Sequence, residues 1–311
     1  MRVPRPFDLA LVCRSHGWYD LAPWRWDEAR RLLARPLRLE AGRVVGAEVA
    51  EGAAGLAIRL ASTGRLTRAE GQQARAQLAR ALALDEELAP FRELAGRLEA
   101  RRAAGLGRDL PDLRWALARG AGRLLRSPTV FEDAVKTLCT TNCSWSLTRL
   151  MVTRLCEALG EPGPDGTRAF PTPEAMARRP ERFYRERIRA GYRAPYLRTL
   201  ARAVAGGRLD LEALRDPGVP TAELLARLEA LDGFGPYAAE HLARLLGRHD
   251  FLALDAWTRQ RLRALRGRRR VPADATVRRW YRPYGPWAGL AMWLEVTADW
   301  FEPGPAAPAA W

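Results

Sequence analysis

The chain has 311 residues, enough for two domains with a buried core, and its 48% hydrophobic and 28% charged content excludes a disordered polymer. No stretch approaches the roughly 18 consecutive apolar residues of a membrane span, and the first residues lack the apolar segment and cleavage site of a secretion signal. Lysine and arginine total 51 against 36 aspartates and glutamates, a net charge of +15, which suits a polyanionic partner such as nucleic acid and equally the arginine bias of a GC-rich genome.

In chain order, residues 6–13 (PFDLALVC) alternate enough to predict a strand. Residues 26–33 predict a helix, and residues 37–60 three short strands separated by glycine turns. Residues 67–82 carry apolar side chains at helical spacing. Residues 101–108 (RRAAGLGR) read as a hinge. From residue 110 onward nearly everything is helical, over 111–125, 130–159, 172–179, 180–191, 194–205, 209–214, 221–231, 236–246, 256–265, 273–279 and 286–298. Glycine and proline stand at nearly every boundary. The fold class is α+β: an N-terminal antiparallel-sheet domain over 1–110, a helical domain over 111–302, and a loose Ala/Pro tail over 303–311.

Residues 222–247 form the most informative segment. Two helical patterns flank a tight turn containing Gly233, Phe234, Gly235 and Pro236. Glycines allow unusual backbone angles and close approach, and proline suits the first turn of a helix. Such a hairpin directs free amides, here around Gly233, Phe234, Gly235, Tyr237 and Ala238, at one phosphate-sized spot. An ordinary helical hairpin would read the same. An apolar run over 251–254 then delivers Asp255 to the start of another helix, as a functional carboxylate or as a simple N-cap.

The hairpin, its glycine-proline turn and the following Asp255 together resemble the helix-hairpin-helix DNA glycosylase superfamily. Residues 130–160 with the following FPTPEA resemble both the inducible 3-methyladenine glycosylases and the 8-oxoguanine glycosylases; 281–293 (YRPYGPWAGLAMW) looks like the C-terminal helix of the former and 191–196 (GYRAPY) like the DNA-facing turn of the latter. The resemblance implies an enzyme that flips a damaged nucleotide from duplex DNA and hydrolyses its N-glycosidic bond, with Asp255 as the catalytic carboxylate of the 251–257 loop. Bifunctional members place a lysine at the position of Tyr237. Tyrosine forms no Schiff base, so a monofunctional enzyme is expected, with Tyr237 either stacking on the base or packing in its helix.

Tyr237, Trp257, Tyr281 and Lys136 are the expected base-pocket residues. Lys136, the one lysine in the chain, is alternatively a displaced nucleophile for a lyase reaction or a solvated or ion-paired bystander. By the same resemblance, Asn142, Tyr192 and Arg193 would fill the gap left by the flipped base and contact an orphaned cytosine; a helix cap and a surface turn are the plainer readings. The trio points to a damaged guanine and the aromatic residues to alkylated, cationic bases, and the alkylated purine is favoured. The backbone carbonyls of Glu229, Leu231 and Phe234 match those that hold a sodium or potassium ion in relatives. No redox cofactor is implied. No cysteine follows Cys156, which excludes the iron–sulfur loop of some relatives, and the four cysteines fit reduced thiols. The expected partner is double-stranded DNA, bound by a monomer at the cytoplasmic nucleoid without membrane contact; a non-catalytic lesion-binding protein is the rival reading. Arg259, Arg261, Arg263 and Arg266 to Arg270 would add phosphate affinity.

Overall fold

The computed structural model describes residues 1–301; the tail expected over 303–311 lies outside the described residues. Residues 6–13 do not form a strand. Asp8 caps a helix, α1 (Leu9–Cys13), by accepting hydrogen bonds from the amides of Ala10 at 2.9 Å and Leu11 at 3.3 Å. All five helical residues are buried, so the apolar run is a helix enclosed on every side rather than a half-exposed strand.

The predicted helix over 26–33 is also replaced. Asp27 accepts the Arg30 amide at 3.0 Å, and Arg31 takes a φ of +47°, a value no right-handed helix holds. The result is a hairpin between β1 (Arg25–Asp27) and β2 (Leu32–Arg38), with Asp27 opposite Leu32. β3 (Val44–Gly52) and β4 (Gly55–Ala61) follow, completing an antiparallel sheet in the order β1-β2-β3-β4. β3 alternates as a half-buried strand should, with Val45, Ala47 and Val49 inward.

α2 (Arg68–Ala81) starts at a capping box between Thr67 and Glu70. α3 (Ala89–Ala103) was not foreseen, and it absorbs the first residues of the expected hinge; only the loop with Gly105 and Gly107 remains of it. α4 (Arg114–Arg119) ends at Gly120, which has a φ of +73° and sits where a Cβ would overlap the Pro6 carbonyl. The helix expected to reach residue 125 is therefore cut short, and a buried, extended segment runs on to α5.

α5 (Val130–Thr140) is buried along its whole length and packs against later helices, including α6 (Trp145–Leu159), α8 (Ala194–Ala205) and α10 (Pro236–Leu245). The single helix expected over 130–159 breaks between α5 and α6, at Asn142 with φ +44°. Between α6 and α8 lie α7 (Pro173–Ala177), a π-helical turn over Phe183–Ile188 and a 3-10 turn over Gly191–Arg193. α9 (Thr221–Glu229) pairs with α10 as the hairpin; α11 (Ala256–Leu265), α12 (Asp274–Tyr281) and α13 (Ala288–Val296) follow. The sheet is tied to α5 by Arg35–Glu132 at 2.8 Å, and to the loop after α6 by Arg38–Glu161 at 3.0 Å and Arg25–Asp165 at 2.9 Å. Among the described residues no helix is long and apolar enough to cross a membrane.

Candidate active site

Asp255 stands at the N-terminus of α11, where its carboxylate accepts the Thr258 amide at 2.6 Å. It is the helix N-cap, and the cap also fixes the carboxylate: half-buried and held by a helix N-terminus, it faces the side of α10. Its charge is felt by Tyr237, Glu240 and Arg244, three residues of α10. Burial pushes the Tyr237 hydroxyl up and Asp255 adds to that shift, while the Thr140 hydroxyl opposes it. Burial also raises the Glu240 carboxyl. Arg244 is 9% exposed, and its guanidinium lies 4.2 Å from the centre of the Trp293 ring.

Behind Tyr237 runs a buried aromatic row. Tyr237 stacks on His241 with centroids 6.2 Å apart. His241 meets Trp18 at 5.0 Å and His16 at 5.9 Å. Trp18 donates from its indole to Asp133 on α5 at 2.7 Å. Burial holds His16 down at about 3 and His241 well below its ordinary range, so both rings are neutral near pH 7. Gly17, between His16 and Trp18, has no room for a Cβ because the Trp145 ring lies against it.

The expected pocket residues divide. Tyr237 is half-buried beside Asp255, and Trp257 packs near Trp293 at 6.3 Å and Trp300 at 5.6 Å. Tyr281 has no exposed surface; its hydroxyl donates to Glu295, which also pairs with Arg266 at 2.7 Å, so it is a core residue and not an open wall. Lys136 is likewise fully buried. Its ammonium pairs with Glu132 at 2.7 Å, and Glu132 also takes Arg35 in a two-pronged contact. Lysine 136 is thus the ion-paired bystander of the sequence reading, with its amine engaged and closed off, rather than a pocket residue or nucleophile.

Asn142, Tyr192 and Arg193, fifty residues apart in sequence, converge. The Tyr192 hydroxyl receives the Asn142 amide at 3.4 Å and meets the Thr141 hydroxyl at 3.1 Å. Tyr192 is 47% exposed, whereas Arg193 is buried beneath it, 4.5 Å from its ring centre, and donates to the Thr141 carbonyl. Arg193 therefore braces this loop while Tyr192 and Asn142 form its outer surface.

At the hairpin turn, Gly233 has a φ of +86° and a Cβ there would come within 2.5 Å of the Tyr196 ring, so the glycine permits a close approach. The amides of Gly235, Tyr237 and Ala238 have no acceptor among the described residues. The Phe234 amide differs from expectation: it donates to the Leu231 carbonyl at 3.0 Å and closes the turn, with the Phe234 ring buried. Glu229 ends α9.

Sequence reasoning missed Glu240, His241 and Arg244. The signal was present, since Tyr237, His241 and Arg244 recur at four- and three-residue intervals on one face of a helix. His16 and Trp18 carried no comparable signal, because the groups that place them in the site, Leu125, Asp133 and His241, lie more than a hundred residues away.

No family model and no curated protein sequence matches the chain. Solved structures do. A 3-methyladenine DNA glycosylase from Archaeoglobus fulgidus superposes with a TM-score of 0.73 at 19% identity, over 98% of this chain and 99% of that one. The 8-oxoguanine glycosylase/lyase of Clostridium acetobutylicum in its apo-form gives 0.68 at 19% identity, over 93% and 92%. The same enzyme in complex with double-stranded DNA containing cytosine opposite 8-oxoG gives 0.66 at 17%, over 94% and 92%. The likeness spans the sheet and the helices together, and the chain has the fold of the helix-hairpin-helix DNA glycosylases.

Proposed function

We propose that this protein is a monofunctional DNA N-glycosylase of base excision repair, which flips a damaged purine out of duplex DNA and hydrolyses its N-glycosidic bond. The observation that carries the reading is Asp255, held by its own cap at the start of α11 and electrostatically coupled to Tyr237 of the hairpin helix. Cleavage of the bond builds positive charge on the sugar, and a fixed carboxylate stabilises that charge and orients water.

Other features support the same reading. The free amides of Gly235, Tyr237 and Ala238 suit a backbone phosphate at the N-terminus of α10. The exposed Tyr192 and its partner Asn142 suit the gap opposite a flipped base. Arg263, Arg268, Arg269 and Arg270 are exposed and add sequence-independent phosphate affinity. Tyr237 in place of a lysine and the closed ion pair of Lys136 support hydrolysis without a Schiff base. The carbonyls of Glu229, Leu231 and Phe234 would hold a monovalent cation at the turn. The Leu231 carbonyl already accepts one bond and keeps a second lone pair, so the fit is retained. Such an ion would supply only a charge for gripping phosphate.

The test is mass spectrometry of free bases released from methylated and from oxidised duplex DNA, comparing wild type with Asp255→Asn. Asparagine caps a helix about as well as aspartate, so the variant remains folded. Release by wild type, a loss of about a thousandfold or more in the variant and unchanged duplex binding are expected. Duplex binding with no release from any lesion would favour the non-catalytic reading. A borohydride-trapped adduct would overturn the monofunctional assignment.

A further inference from the structure

Arg244 is the unexplained charge of this site. It is 9% exposed on α10, and among the described residues no carboxylate reaches ion-pair distance from it and no hydrogen bond engages its guanidinium. Every other strongly buried cation is matched: Arg35 and Lys136 by Glu132, Arg126 by Asp85 and Glu86, Arg123 by the Ala83 and Glu86 carbonyls, and Arg193 by Thr141. The guanidinium nitrogens of Arg244 are not among the enclosed, unpartnered polar atoms of the described residues, so its edge meets solvent, and a ligand that displaces that water must bring an acceptor or strand the charge.

Placement identifies that group. Burial lowers the Arg244 pKa and Asp255 is foremost among the groups that oppose this, with the Glu240 carboxyl also contributing, yet Asp255 accepts the Thr258 amide and does not pair with the arginine. The guanidinium carbon lies 4.2 Å from the centre of the Trp293 ring, so the indole screens it on that side. The nearby histidines, His16 and His241, are neutral, so they neither add to the positive charge nor offset it. An anionic carboxylate and an unpaired guanidinium thus stand in one site without touching.

That arrangement matches one kind of leaving group. When the bond between C1′ and N9 breaks, its electron pair goes to the base and the sugar becomes cationic. Water then adds its oxygen to C1′, and a proton from that water ends on the departing base. A base that carries a positive charge leaves without help and would be repelled by a guanidinium. An uncharged base leaves as a developing anion and gains from a donor on its carbonyl oxygen. Resting on the glycosylase reading, we propose that Arg244 is the specificity-determining residue of this site, donating to a carbonyl acceptor of a flipped, uncharged damaged purine and rejecting cationic alkylpurines. This reverses the preference for alkylated bases drawn from the aromatic residues alone.

The test uses three duplexes carrying a single 8-oxoguanine, hypoxanthine or 7-methylguanine, with single-turnover release measured for wild type, Arg244→Met and Arg244→Lys. Wild type is expected to release at least one of the two neutral bases at least tenfold faster than 7-methylguanine, after subtraction of spontaneous loss. Arg244→Met should slow neutral-base release by about a hundredfold or more and leave 7-methylguanine release equal or faster. Arg244→Lys, which keeps the charge but not the planar fork, should still reject 7-methylguanine while releasing neutral bases more slowly. Preference of wild type for 7-methylguanine, or an equal slowing of all bases in Arg244→Met, overturns the assignment and leaves the glycosylase reading standing. Absence of release from every duplex, with binding retained, overturns the glycosylase reading and this assignment with it.

Discussion

Two buried cations, Lys136 on α5 and Arg244 on α10, show how differently one fold can treat a charge. Lys136 has no exposed surface and is closed into an ionic cluster with Glu132 and Arg35, which pins the sheet to the central helix. Arg244 is almost as buried and rests on an indole with no acceptor among the described residues. A matched buried charge is architecture, because the desolvation cost is offset within the protein. An unmatched one whose edge still meets solvent keeps its donors free for a ligand, at the kind of position where binding sites commonly give up stability.

The largest effect should come from breaking the matched cluster. Glu132→Ala leaves Arg35 and Lys136 buried and uncompensated, and is expected to lower unfolding free energy by about 3–5 kcal/mol in urea denaturation. A loss under about 1 kcal/mol would mean that water reaches the cluster and that the comparison with Arg244 is not one of pairing.

The same substitution made at both cations sharpens the contrast. Lys136→Met removes one charged hydrogen bond from Glu132 and should cost about 1.5–3 kcal/mol. Arg244→Met gives up a cation–π contact of roughly 0.5–2 kcal/mol but also relieves an unpaired buried charge. Its urea midpoint should therefore hold or rise even as its base release fails. A drop as large as that of Lys136→Met would show that Arg244 has a partner in the free protein.

Much of this molecule was legible before its structure. The bounds of α8 and α11 follow the apolar spacing of 194–205 and 256–265, and the hairpin is punctuated by Gly233, Gly235 and Pro236. The failures share a cause. Residues 9–13 are apolar on every side, so their period carries no information, and residues 26–33 were decided by the turn chemistry of Asp27 and the left-handed Arg31. α3 was overlooked although Pro90 at its start and Phe91, Ala95 and Leu98 on one face announce it. In the candidate site, local spacing made readable that Asp255 opens a helix and that Tyr237 follows the hairpin turn, whereas the roles expected of them came from the resemblance. The fate of Lys136 depended on Arg35, 97 residues distant from Glu132, though Glu132 itself stands one turn away. Arg244 was hidden for a related reason: what marks it is that no acceptor among the described residues engages it, and that is visible only in three dimensions.

The smallest predicted effect concerns the aromatic row that joins these two regions. His241 is buried among Trp18, His16 and Tyr237, its Nε2 has no hydrogen-bond partner among the described residues, and burial with the nearby His16 and Arg244 holds its pKa well below 6.5. An unfolded chain protonates this ring as pH falls through 6.5 while the folded chain does not. Its contribution to stability is therefore complete above pH 6.5 and declines as pH falls. Asp133, at the other end of the row, acts with the opposite sign. Burial raises its carboxyl to about 6 against 3.8 when unfolded, so its contribution is complete below 3.8 and declines as pH rises through 6. Between pH 4 and 6 the two oppose each other, each with a slope of at most about 1.4 kcal/mol per pH unit. His241→Phe keeps the stacking and removes the titration, so urea midpoints measured over this range should fall more steeply, or rise less steeply, with increasing pH than in wild type. An unchanged slope would mean that the folded protein protonates His241 as readily as the unfolded chain, and the row would then be charged beside Arg244, against the neutral site argued above.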